Sequence, residues 1–394
     1  MKNVFLFSFL CFTFSIFAFE LQKKEIRDNY FGIVDEKKGE DKYLIFSNTL
    51  EGAPRWKTLE FALNQTSSFA SGNSSVCIIL YLEEGKYWSS SRLENCCFKI
   101  FSYQNSHVSL APNDGKQVSL RLGNCKAEFE GVRFENFSKN FLISEGGGSL
   151  TISNSILATN SLYQVGLIVD CLDFVNISKC SFFNNKHNIG IFSVKGSKTV
   201  VVENCRFESN EALTNSSNNP SYLAENCTRA IFSNNKVEKN GRNSFSPPKL
   251  FAFVKVEGLF IQSNQFVGNG ASDFLFQVND TSNCNVCKNS FLGNRIYSNS
   301  ISSCFIFQNS PVIQVEENLF HGNNVSGCNH ISGAFLIESS NLCAKFLNNN
   351  FTRNIVSPFK LALLASSSIL VLPSEGAIVH LENNTFLSNT ALKT

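Results

Sequence analysis

LFIQSNQFVGN at residues 259–269, CNVCKNSFLGN at 284–294 and IQVEENLFHGN at 313–323 are three copies of one pattern. Each opens with an apolar pair two residues apart: Leu259/Ile261, Cys284/Val286 and Ile313/Val315. Two is the strand period, so both members of a pair face one side of a short strand. Five residues later comes a phenylalanine, with an asparagine two residues before it and another three residues after it. Carried outward, the phenylalanine position reads Phe134, Leu157, Phe182, Phe207, Val237, Phe266, Phe291, Phe320, Phe351 and Phe386, at intervals of 23 to 35 residues. The position before it holds Ser155, Cys180 and Cys205, then six asparagines in succession, Asn235, Asn264, Asn289, Asn318, Asn349 and Asn384. The position after it is asparagine from Asn160 to Asn389, with only Phe137 of the first copy deviating.

Copies of this size cannot bury an apolar face alone, so they must stack. The expected fold is all-β: a right-handed parallel β-helix solenoid of roughly 12 coils, with the repeats spanning about 127–389. Like residues then lie over like at the strand spacing of ~4.8 Å. Each buried anchor is worth ~1.5–3 kcal/mol. A buried asparagine without a partner costs ~1–3 kcal/mol, so six in a row make sense as a ladder of amides satisfying one another. Asparagine also suits such corners because its amide tolerates the left-handed backbone conformation. Upstream, Trp56, Leu59, Ala62 and Leu63 lie at helical spacing and predict a short helix capping the first coil. The β-helix is expected over 56–394, preceded by a charged surface leader at 20–55 and a secretory signal peptide at 1–19. The last coil, ending at Thr394, lacks a cap, so a further segment or a partner is expected to cover its edge.

Lys+Arg 34 against Asp+Glu 32 gives a net charge of +2, without the positive excess that phosphate backbones demand, so nucleic acid is not an expected partner. Ten N-x-S/T sequons, among them Asn226, Asn324 and Asn383, would accept glycans in a eukaryotic host. Of the 14 cysteines, Cys11 lies in the signal, and the odd remainder requires a free thiol or an intermolecular bridge. Cys180 and Cys205 occupy equivalent corners one coil apart, where a stack of ~4.8 Å permits either a disulfide or two free thiols.

The helix followed by an apolar strand ending in Glu84-Gly85-Lys86-Tyr87 is similar to the entry of pectin-lyase-like right-handed β-helices. The repeated Phe-x-x-Asn, with Ser332-Gly333-Ala334-Phe335 and Glu375-Gly376-Ala377-Ile378, resembles the F-x-x-N and G-G-A-I motifs of the polymorphic outer-membrane protein family. That resemblance implies an adhesive role. The family's autotransporter barrel has no counterpart in this sequence, which leaves anchoring in an outer membrane without a basis.

Many β-helices are carbohydrate-active enzymes, whose chemistry needs clustered carboxylates and usually an Arg or Lys. Asp170 and Asp173 are the one close aspartate pair past the leader, and they read as solvated loop carboxylates. Cys284-Asn285-Val286-Cys287 has the spacing of half a zinc site, but Cys284 falls on an inward column and reads as a packed or bridged cysteine. His107, His187, His321, His330 and His380 stand in no sequence grouping that suggests a triad. No catalytic residue, metal site or cofactor is therefore expected. What varies between copies is the return segment, as at 211–225, 241–249, 322–332 and 354–375, where Tyr222 and Phe245 are candidate recognition residues. The expectation is a secreted or cell-surface, non-catalytic adhesin or binding scaffold for glycan or protein ligands. The alternative is a polysaccharide lyase or hydrolase whose carboxylates converge from distant coils.

Overall fold

The computed structural model describes residues 30–35, 42–47, 63, 76–82 and 84–392, apart from 88–89, 103–106, 113–118, 214–218, 243–246, 300, 359–363 and 373–375. The expected signal segment, most of the expected leader, the expected capping helix save Leu63, and Phe245 lie outside these. The chain is a right-handed parallel β-solenoid with three main sheets, of 14, 12 and 11 strands. From Lys126 to Val371 it makes about nine full three-faced turns. Earlier coils and a final partial one bring the short-strand sheet to its 12 members. Within the leader, Tyr30–Asp35 and Lys42–Ser47 pair antiparallel, and the second continues parallel onto Val76–Leu82. The β-branched and aromatic content of those two segments favours pairing, so this part of the leader extends the long-strand sheet.

One turn shows how the repeat folds. Gly258–Gln262 lies on the first face, Gln265–Val267 on the second and Phe274–Asn279 on the third. The next coil sets Leu259 beside Cys284, Ile261 beside Val286 and Phe266 beside Phe291. All ten anchors pair in register in the same way, from Phe134 with Leu157 to Phe351 with Phe386. The rings of Phe266 and Phe291 stack at 4.7 Å with planes 4° apart.

The return segments are not simply loops, because most carry a third-face strand. These strands build a second aromatic column, Tyr222, Phe251, Phe276, Phe305 and Phe335, stacked face to face between successive coils. Its members meet the anchors edge-on, as Phe276 meets Phe266 at 5.0 Å and 77°. Two ring columns at right angles satisfy the electrostatic preference of aromatic edges for aromatic faces. Outside the third face a smaller apolar cluster of Phe274, Ile306, Leu336 and Leu372 covers the strands, which are therefore apolar on both sides.

Both corners flanking the anchor carry amide ladders. Asn264 Nδ2 donates to Asn289 Oδ1 at 2.9 Å and to the Phe232 carbonyl at 2.8 Å. Asn289 Oδ1 also accepts the backbone N–H of Asn264, so two donors and two acceptor sites are used at each rung. The ladder runs from Asn235 to Asn384, and a longer one runs from Asn160 to Asn389. The left-handed residue is not the ladder asparagine but the one before it, such as Asn234, Ser263 or Lys288. Each corner is a two-residue device: the first residue reverses the backbone and faces out, and the second points its amide inward.

Candidate binding groove

Beyond the longer ladder, some coils add a short strand before turning to the third face. Gly270–Ser272, Arg295–Tyr297, Asn324–Gly327, Ile355–Pro358 and Thr390–Ala391 form a five-stranded sheet of such additions. Alternation in Arg295–Tyr297 buries Ile296 and turns Arg295 and Tyr297 outward. At the left-handed corner position, where other coils carry Asn184, Ser209, Lys239 or Arg353, three successive coils have Gly268, Gly293 and Gly322. A Cβ there would meet nothing within 4 Å, so glycine is not imposed by crowding, and its effect is a bare ledge. Gly268 and Gly293 of this ledge line a groove of about 410 Å³, with Arg242, Arg295 and Tyr297 among its walls. At the other wall Gly241 comes so close to the carbonyl of Gly270 that a side chain could not fit.

The groove is cationic by default. Asp273, the acid nearest in sequence, is held by Lys249 Nζ at 2.9 Å and by the Ser298 hydroxyl. Among the described residues Arg242 and Arg295 are in no ion pair, so two guanidiniums are free to take an anion, for which their planar donor forks suit carboxylate or sulfate. Sequence reasoning missed this site, because its residues come from four successive coils and its cations, Arg242 and Arg295, hold no residue type that recurs between copies.

The residues singled out from the sequence fall elsewhere. The anchor column as far as Phe351 and the amide ladders as far as Asn349 and Asn354 are internal to the rod, while Phe386 of the last coil is half exposed. Cys180 and Cys205 are both free, which corrects the bridge considered for them. They point the same way in one column, each thiol donating to carbonyls, Cys180 to Ile152 and Cys205 to Ile177, so the sulfurs keep the coil spacing and do not converge to the ~2.05 Å of a bond. Tyr222 is not a surface recognition residue: only 2% of it is exposed, and it stacks on Phe251.

Asp173 is paired with Lys198 at 2.7 Å, and that ammonium holds its carboxyl below the usual range, while Asp170 accepts from the Cys171 thiol. Cys284 is buried, and burial pushes its thiol up. Among the described residues no three His, Cys, Asp or Glu side chains group as metal ligands. The fold does bring one histidine to a serine, with His187 Nε2 2.8 Å from Ser221 Oγ. Both are sealed from solvent, and Nδ1 has no partner among the described residues, so no acid completes a triad. Glu208 and Glu238 stand side by side on adjacent coils, bridged by Arg206 at 2.8 and 2.6 Å. Lys236 and Arg206 hold the Glu238 carboxyl down against the opposing effect of burial, which leaves it a poor proton donor at neutral pH.

Residues 117–267 match the family model described as right handed beta helix region. With the parallel three-faced turns, the match fits the pectin-lyase-like architecture that the sequence resembles. No curated protein matches the chain. Among solved structures it is similar to the A-modules of two Azotobacter vinelandii mannuronan C-5 epimerases. The AlgE4 module shares 13% identity at a TM-score of 0.23, covering 82% of this chain and 98% of that one. The AlgE6 module shares 12% at a TM-score of 0.21, with the same coverage. At such scores neither likeness carries an argument about activity.

Proposed function

We propose that the protein is a secreted or cell-surface binding scaffold, an adhesin without catalytic activity, and that its groove takes a glycan bearing carboxylate or sulfate groups. The observation that carries this reading is that Arg242 and Arg295 line one groove over a glycine floor. Guanidiniums recognise the anionic groups, and the bare ledge admits a flat chain. The F-x-x-N likeness to polymorphic outer-membrane proteins supports the adhesive role. The test is a glycan array probed with wild-type protein and the Arg242→Ala/Arg295→Ala double variant. Acidic chains should bind, binding should weaken with salt, and the double variant should lose about tenfold or more. Equal retention of neutral chains, or an unaffected double variant, would overturn the reading.

A second reading rests on Glu208, Glu238 and Arg206, two carboxylates and a cation on one face. It predicts release of reducing ends or unsaturated uronates from a polysaccharide, abolished by Glu238→Gln. Detecting that release would replace the scaffold with an enzyme.

A further inference from the structure

Cys96 and Cys125 occupy the same corner of successive coils, where the third face turns into the first. The Cys96 carbonyl accepts the N–H of Lys126, and the Cys125 carbonyl accepts that of Ser149, so the backbone ladder holds the two corners one above the other. Their sulfurs are 2.8 Å apart, about 0.8 Å beyond the ~2.05 Å of a formed bond. Both side chains are buried. Cys180 and Cys205 are an internal control: they too are stacked one coil apart, yet the Cys205 sulfur lies 3.4 Å from the backbone nitrogen of Cys180, in the place an asparagine oxygen takes further along. The corner, not the stacking alone, decides whether two thiols converge. The adjoining Cys97 is itself disulfide-bonded.

We infer that Cys96 and Cys125 are an oxidation site, closing a disulfide that staples the coil entered at Cys97 to the coil entered at Lys126. The oxidant is a small or protein-borne disulfide such as glutathione disulfide. Cys125 loses its proton to solvent and attacks one oxidant sulfur, releasing a first thiol. The deprotonated Cys96 sulfur then displaces the second thiol and forms the bond. Two protein thiols are oxidised and one disulfide is reduced to two thiols. Cys125 is fully buried once folded, so the first exchange runs while the chain between two cysteines 29 positions apart is still open.

The full-length protein is equilibrated in a glutathione buffer with the disulfide in excess, quenched in acid, denatured and alkylated. Peptide mapping should find Cys125 unlabelled and Cys180 and Cys205 labelled; after prior reduction all three should carry label. Labelling of Cys125 equal to that of Cys180 without reduction overturns the assignment. In Cys125→Ser, the count of labelled thiols rises by one if the bridge exists, since Cys96 is released. It falls by one if it does not. The wild-type mapping stands even if that variant folds poorly.

Discussion

The ring of Phe291 lies 4.5 Å from that of Phe320 in the next coil, the two planes within 6° of parallel. Neither ring is exposed, and each also meets the edge of Phe305. Removing one ring opens a cavity bounded above and below by other rings that cannot collapse into it.

Phe291→Ala should therefore cost about 3–5 kcal/mol. Leu292→Ala, one residue on and facing outward, should cost under about 1 kcal/mol. Chemical denaturation of the two variants checks the contrast, and equal losses would contradict the column.

Asn289→Ala strips the acceptor from both the side-chain and backbone donors of Asn264. With each of the two stranded donors at ~1–3 kcal/mol, the expected loss is about 2–6 kcal/mol. Asn289→Cys should lose less, because Cys205 already serves at this column, its thiol donating to the Ile177 and Glu203 carbonyls. Unfolding midpoints should rank wild type, Cys, then Ala.

Burial lowers the His187 pKa to about 4, from an ordinary 6.5. Between those values the unfolded chain binds more protons than the folded one. The contribution is thus fully present above pH 6.5 and lost as pH falls toward 4, reaching about 3 kcal/mol. Thermal unfolding at pH 7 and pH 4 should show a smaller acid-induced drop for His187→Gln than for wild type.

Gly293→Asn places a side chain on the groove floor at a corner where Asn184 is tolerated at φ 51°. The unfolding midpoint should change little while capture of acidic glycan falls several-fold, read by calorimetry and surface binding. A variant that binds as well as wild type would move the ligand off the ledge.

The columns at Phe266, Phe291 and Phe320, and at Asn264, Asn289 and Asn318, were legible because in-register stacking imposes one residue type at one offset. The third face was not. Its strands, such as Lys249–Val254 and Ser303–Gln308, begin at varying distances from the anchor, and their near-continuous apolar runs lack the alternation that marks a half-buried strand. Tyr222 was misread for that reason. The left-handed role was assigned one residue too late, since Asn264 and its neighbour Ser263 share the corner and only backbone angles separate their tasks. The groove left no trace because Gly293 and Arg295 acquire meaning only beside Gly268 and Arg242.

Since the same pair of amide bonds crosses each interval of the ladder, the segment from Asn264 to Lys288 could be excised whole and Asn289 would inherit the neighbours of Asn264. Rod length is thus adjustable in steps of ~4.8 Å without redesign of what remains. Duplication or loss of an equivalent module outside residues 241–326 would slide the cationic cleft along the axis while preserving its shape, a route by which reach can diverge between variants that share a single groove.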